Sequence, residues 1–206
     1  MKSRTLAREL ALLMLGQVSD RAAAAPDLSM EALLQQVLAS LAQHVREALD
    51  SSAADLQQAE QQLLDSELQE GGDTSLPRVR DHLRAGLSHA ERALNRLSAS
   101  LELPRLLLLS DQEEVRRGAI ERTRAVLAER EAIDARLDAV MEGWRLGRLP
   151  RIDRDILRLA AVDLGTLGTP PAVACNEAVE LANRYSDEQG RRMINGVLRR
   201  YTTAKV

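Results

Sequence analysis

The chain has 206 residues, of which 45% are hydrophobic, with 28 basic against 31 acidic side chains. That length is room for one large domain or a domain with an appendage, and the near balance of charge excludes a polybasic nucleic-acid tail and most disordered chains. Phenylalanine is absent and the aromatics are one tryptophan and two tyrosines. The core must therefore be Leu, Ala, Val and Ile, a palette that favours packed helices over sheets.

A single cysteine, Cys175, permits neither an internal disulfide nor a thiolate zinc site, which suits a reducing cytoplasm. The start, MKSRTLARELALLMLG, has a basic head and an apolar run that superficially suggest a secretion signal. Arg8 and Glu9 adjoin that run, however, and Gln17, Asp20 and Arg21 precede the alanines at 22–25. No stretch reaches the ~18 apolar residues that a bilayer span needs. A soluble, cytoplasmic protein with no membrane partner is expected.

The first apolar run reads as a helix carrying Arg4 and Arg8 one turn apart, with Lys2 just before them. Like charges at that spacing cost about 0.2–0.5 kcal/mol unless an anion sits between them. Phosphate is the natural anion for a planar guanidinium fork, and a solvated helix face is the plainer alternative. Residues 27–76 hold one basic and ten acidic side chains, so the acidic excess of the chain is concentrated there. Within it Met30, Leu34, Val37, Leu41, Val45, Leu49, Leu56 and Leu63 recur at helical spacing, predicting one or two amphipathic helices to about Glu70. Gly71 to Pro77 is a break. A further helix carries Val79, Leu83, Leu87, Leu94, Leu97 and Leu101 on one stripe and ends near Pro104. The pair reads as a helical hairpin or short coiled coil, with self-association as a further outcome.

Ser110 and Glu113 have the form of a capping box for a helix running to about Glu129. Ile133, Leu137, Val140 and Met141 form the next stripe, stopped by the Gly147–Pro150 segment. Helices follow over Ile152–Leu164 and Asn176–Tyr185, with a turn at 166–171 between them. Ser186 and Gln189 offer another capping box, for a last helix through Met193, Val197 and Leu198. Asn176 and Glu177 read as cap residues, the arginines and aspartates of 151–158 as intrahelical ion pairs, and Gly196 as a close helix contact with Asn195 bonded to a neighbouring backbone. No region shows the sustained alternation of strands, so the fold class is all-α.

Arg184, Tyr185, Arg191 and Arg192 gather around the last helix start, where free amides and guanidinium groups attract phosphate and a tyrosine can stack on a base for ~1–3 kcal/mol. Packing of Tyr185 at the helix end is the equal alternative. Cys175 has no histidine near it in sequence, His44, His82 and His89 lack ligand spacing, and no phosphate loop or GxGxxG occurs. No enzyme, metal or cofactor is expected.

Two blocks together resemble the NusB family of transcription antitermination factors. The C-terminal block is Trp144 and Arg145, RIDRDILRLAAVDL at 151–164, NEAVELANRY at 176–185 and INGVLRRY at 194–201; the N-terminal block is RTLARELALLML at 4–15. The resemblance implies a compact bundle of about seven helices, spanning residues 1–206 as a single domain. Residues 22–110, longer than the family usually has there, would contain a helical insertion at about 27–105. It also implies binding to single-stranded boxA RNA of ribosomal RNA operons within the transcription elongation complex. The partner would be NusE, the small-subunit ribosomal protein. By the same resemblance the RNA-binding residues are Lys2, Arg4, Arg8, Arg184, Tyr185, Arg191 and Arg192, with Arg4, Arg8, Arg191 and Arg192 on phosphates. Contact with about 4 phosphates of a single strand predicts a log–log salt slope near about −3.

The chain departs from the family pattern at Thr5, where an adjacent arginine is usual, and at Gly16 and Met193, where aromatics are usual. A second reading is therefore a protein-interaction module that keeps the bundle without RNA binding and docks through the acidic insertion. Homodimerisation is compatible with either.

Overall fold

The computed structural model describes residues 2–18, 29–67, 76–100 and 112–204. Among them the chain forms eight α-helices, one short 3₁₀ turn and no strand. The helices are α1 (Lys2–Gln17), α2 (Met30–Glu67), α3 (Leu76–Ser100), α4 (Glu113–Ala128), α5 (Arg130–Val140), α6 (Arg151–Gly165), α7 (Pro171–Tyr185) and α8 (Glu188–Thr203); the 3₁₀ turn is Leu146–Arg148. None of them is long and apolar enough to cross a membrane. Two compact units are present, one of Met1–Val37 with Leu109–Val206 and one of Leu38–Leu108.

In the first unit α6 is the central element, touching α1, α4, α5, α7 and α8. Its residues Ile156 to Asp163 are all buried, so a helix that reads as amphipathic at its start is enclosed on every side further on. Leu and Ala fill this space without phenylalanine: Leu10, Ala11 and Met14 of α1, Ile133 and Leu137 of α5, and Ile194 and Leu198 of α8 are fully enclosed. A Cβ at Gly118 would stand 3.1 Å from the Ala7 Cβ, so the glycine lets α4 approach α1 closely.

Charge is buried with the leucines. The Asp163 carboxylate, on a residue 1% exposed, accepts from Arg8 Nε of α1 and, at 3.1 Å, from Arg122 Nε of α4. The Arg122 Nη1 also donates to the Gly118 carbonyl at 3.0 Å, and Arg8 Nη1 lies 3.6 Å from Glu177 of α7. A comparable knot joins α5 to α6, where Arg158 donates to both Asp134 oxygens at 2.8 Å and to Asp155 at 2.9 Å. Burial opposes the charge on Arg158, but the two carboxylates prevail and raise its pKa above the ordinary value.

Several local expectations are corrected. α7 begins at Pro171, five residues before Asn176, because a proline at the first helical position has its fixed φ and loses no needed donor. Asn176 is therefore exposed within the helix and caps nothing, while Glu177 accepts from Thr5 Oγ1 at 3.0 Å. The last helix is capped by Asp187, whose side chain accepts from Gly190 N at 2.7 Å; Ser186 instead donates its hydroxyl to the buried Asp153 at 2.6 Å. At the start of α4 the cap position is Gln112 with no side-chain cap bond, and Ser110 lies outside the described residues. The α6 charges pair only partly within the helix, through Arg151–Asp155 and Arg158–Asp155; Arg151 also donates to the Leu15 carbonyl at 2.7 Å and to that of Val18, closing the end of α1. Open space surrounds Gly196, so no close helix contact explains it, and the Asn195 side chain has no hydrogen-bond partner among the described residues. The tight glycine is Gly190, where a Cβ would meet the Ser186 hydroxyl and stand 2.9 Å from Asp153 Oδ2.

The second unit is an antiparallel hairpin of α2, from Leu38 onward, and α3, as the stripes of leucine predict. Its seam is made of small residues: the Ser52 hydroxyl is 3.4 Å from the Ala93 carbonyl, and the Cβ position of Gly86 is 3.4 Å from the Ala59 carbonyl. One flank is tied by polar bonds, with Asp55 joined to Arg96 at 2.6 Å and to His89 at 3.3 Å, and Gln62 to His82 at 2.8 Å. His89, aided by Arg96 and Arg92 and opposed by burial, holds the Asp55 carboxyl below its usual range.

Two outcomes follow for stability. Asp163→Asn leaves two buried guanidinium groups without their shared carboxylate and is expected to cost about 3–5 kcal/mol in chemical denaturation. A depressed Asp55 pKa stabilises the hairpin above the unfolded value of ~3.9 and ceases to do so as pH falls through the folded value. Helicity lost on acidification should therefore be shallower in Asp55→Asn than in the wild type, read by circular dichroism.

Candidate nucleic-acid interface

Along a helix, residues four apart differ by about 40° and adjacent ones by about 100°. Arg4 and Arg8 therefore share one side of α1, and Glu9 faces another. The structure uses both sides. Arg4 and Arg8 line a cleft of about 340 Å³ against α4, with Arg117 and Arg122 opposite and Glu114 and Glu121 on its wall. Arg4 and Arg117 are exposed, and neither has an ion-pair or hydrogen-bond partner among the described residues. Arg8 and Arg122, 3% and 7% exposed, are held below them by Asp163.

Arg8 is thus corrected as a surface phosphate ligand: its guanidinium is turned inward and committed to carboxylates of α6 and α7. The cation that accompanies Arg4 at the surface is Arg117 of α4, which shares no sequence motif with it. Helical spacing within α1 contains no sign of Arg117; only the packing of α1 on α4 reveals it. Lys2 belongs to the first turn of α1, but its side chain lies outside the described residues.

The other side of α1 meets the segment from 184 onward. Glu9, 2% exposed, accepts from the Tyr185 hydroxyl at 2.7 Å and from Arg184 Nη1. The end of α7 is thereby fastened to α1, and Tyr185 is anchored through its hydroxyl. Burial, with the Glu9 charge second, pushes the Tyr185 phenol well above its ordinary range. Arg191 donates to Asn183 Oδ1 at 3.1 Å and lies 3.9 Å from Glu188, which also pairs with Arg192. These last pairs are exposed, and exposed ion pairs contribute so little that an incoming phosphate can exchange with them.

Beside the start of α8 lies an apolar hollow of about 300 Å³, bounded by Trp144, Pro150, Gln189 and Met193, with Asp153 and Asp187 at its edge. Trp144 is 53% exposed. Met193 stands where an aromatic was expected, and the structure sets the tryptophan of a different segment in the same hollow. Among the described residues no group of three or more His, Cys, Asp or Glu has the arrangement to hold a metal ion. Cys175 is partly buried, and burial pushes its thiol pKa up.

Comparison with known proteins gives a single family. The model of the NusB family matches residues 87–203. Curated relatives named transcription antitermination protein NusB match almost the whole chain. The protein of a Synechococcus species is 46% identical over 203 residues, 98% of this chain and 94% of that one. That of a Synechocystis species is 42% identical over 205 residues, covering 98% and 91%. That of Gloeobacter violaceus is 41% identical over 201 residues, covering 97% and 94%. The long 22–110 stretch is accordingly shared with these relatives and is not peculiar to this chain. No solved structure matches.

The Glu9 bond is open to a direct spectroscopic check. In an ultraviolet pH titration Tyr185 should stay protonated where an ordinary tyrosine, with a pKa of ~10, has ionised; Glu9→Gln should bring its titration down. The raised phenol stabilises the fold below the unfolded value of ~10 and loses that contribution as pH rises through the folded value.

Proposed function

Since the chain belongs to the NusB family of transcription antitermination proteins, we propose that it binds boxA-type single-stranded RNA of ribosomal RNA operons. It does so together with NusE, in the cytoplasm, as a recognition factor without turnover. The observation that carries this reading is the cleft between α1 and α4, in which Arg4 and Arg117 are exposed and have no ion-pair or side-chain hydrogen-bond partner among the described residues.

The chemistry favours phosphate. Two exposed guanidinium groups across a cleft offer planar donor forks to phosphate oxygens. Arg8 and Arg122 beneath them are fixed by Asp163, so their positive ends are preorganised and need not be gathered when RNA arrives. Glu114 and Glu121 on the cleft wall offset part of the charge, which keeps intrinsic affinity modest and gives a protein partner room to raise it. Arg191 and Arg192 add two further surface cations at the start of α8, outside the cleft, and Trp144 in the neighbouring hollow offers an exposed aromatic face to an unstacked base. Tyr185 positions the end of α7 through Glu9, and its ring is the lesser stacking platform.

Four surface arginines, Arg4, Arg117, Arg191 and Arg192, set the salt dependence. Each phosphate on a single strand adds about −0.7 to the log–log slope, so the wild type should show about −3. Arg4→Ala with Arg117→Ala should weaken boxA RNA binding and make the slope shallower by about 1.4. NusE should tighten binding in both proteins. Filter binding or fluorescence anisotropy across a salt series reads all of this. An unchanged slope in the double variant, or no enhancement by NusE, overturns the proposal. Arg8→Ala is the contrasting case: it is expected to lower thermal stability, through the carboxylates it leaves behind, before it alters the slope.

A further inference from the structure

The α2–α3 hairpin has two unlike flanks. Measured from the seam of Ser52, Ala59, Gly86 and Ala93, Asp55 and Gln62 of α2 and His82, His89 and Arg96 of α3 turn to one side, where their side chains bond across the pair. At about 100° per residue, Leu49 and Leu56 of α2 and Leu83, Leu87 and Leu94 of α3 rotate the opposite way. Because the helices are antiparallel, those rotations bring both leucine stripes to the same flank. These five leucines are between 42% and 71% exposed. A contiguous apolar strip of this kind, on helices whose other flank is already closed, is the mark of an interaction surface.

Charge identifies what covers it. Over 38–67, α2 carries six acidic side chains and one basic; α3 carries five basic and two acidic. A hairpin with one acidic and one basic helix is complementary to a second copy of itself turned about an axis parallel to the helices. That operation sets α2 of each copy over α3 of the other. The same rotation repeats each leucine contact twice, as an isologous two-fold interface requires. It also brings Glu60, at the rim of the α2 stripe, toward Arg84 at the rim of α3, whereas stacking like helix on like would oppose equal charges.

We propose that the leucine flank of this hairpin is a homodimerisation surface, on which two copies form an antiparallel four-helix assembly with α2 of one against α3 of the other. This interface is separate from the RNA cleft and does not depend on it.

Sedimentation velocity on the full chain across the micromolar range is the direct test. The wild type should shift with concentration from the mass of one chain to twice that mass. Leu87→Glu with Leu94→Glu should remain at the mass of one chain, with unchanged far-ultraviolet circular dichroism and a thermal midpoint that no longer rises with protein concentration as that of the wild type does. With Cys175 replaced by alanine, mixing a Leu56→Cys chain with a Leu87→Cys chain under mild oxidation should give the mixed disulfide in preference to either symmetric one. A wild type that stays monomeric throughout overturns the proposal, including the case in which the glutamate pair lowers helicity because another segment of the same chain covers the leucines. A dimer that persists in the glutamate variant, or a preference for the Leu56→Cys symmetric product, overturns it equally.

Discussion

One carboxylate, that of Asp163, organises the first unit. It accepts a guanidinium from α1 and another from α4 while sitting on α6, so three helices distant in sequence are drawn to one point. Removing charges from water is costly, and a buried ion cluster contributes only when its remaining donors are also satisfied. Here they largely are: the Gly118 carbonyl takes a donor from Arg122, and Glu177 stands near Arg8. A cluster of this kind specifies register more than it adds stability, because a one-residue slip of α1 would strand a cation in a core of leucine and alanine. The surface arginines then inherit their positions. Arg4 is one turn from Arg8, and Arg117 is on the same helix as Arg122, so the cleft has the width that the buried cluster sets.

Much of the architecture was legible in the amino-acid sequence. The absence of phenylalanine, the wealth of leucine and alanine and the helical spacing of the apolar positions led directly to an all-α fold. The break at 147–150 falls between α5 and α6, although α5 already ends at Val140. Of the break at 71–77 only Leu76 and Pro77 are among the described residues, where they open α3. Helix starts were less legible. The α7 and α8 starts depended on competition between neighbouring residues for the same role: Pro171 overrode the asparagine that follows it, and Ser186 was drawn away by Asp153, so Asp187 capped the helix instead. Such choices are decided by what lies across the bundle, and local sequence contains no trace of it.

The candidate site was legible in kind and only partly in membership. Arginine periodicity identified α1 as the cationic helix, yet it has no means of distinguishing a side chain that faces solvent from one that faces a buried carboxylate on another helix. Arg8 and Arg4 are alike in sequence and opposite in environment. Arg117 and Trp144 were missed because each gains its setting from a segment remote in the chain. The resemblance to the NusB family had the converse strength: it assigned the 184–193 region to the site, where composition alone left Tyr185 equally suited to packing. Its hydroxyl bond to Glu9 makes it a fastener first.

The sole tryptophan sits half-uncovered in the hollow beside α8, and the bundle interior is built without any phenylalanine at all. Emission from the indole consequently reports the occupancy of that hollow and says little about the packing of the bundle. Titrations followed by this fluorophore will register a guest near Met193 sensitively, whereas melting of the leucine interior must be watched through the peptide backbone. The protein thus carries its own optical separation between ligand and fold.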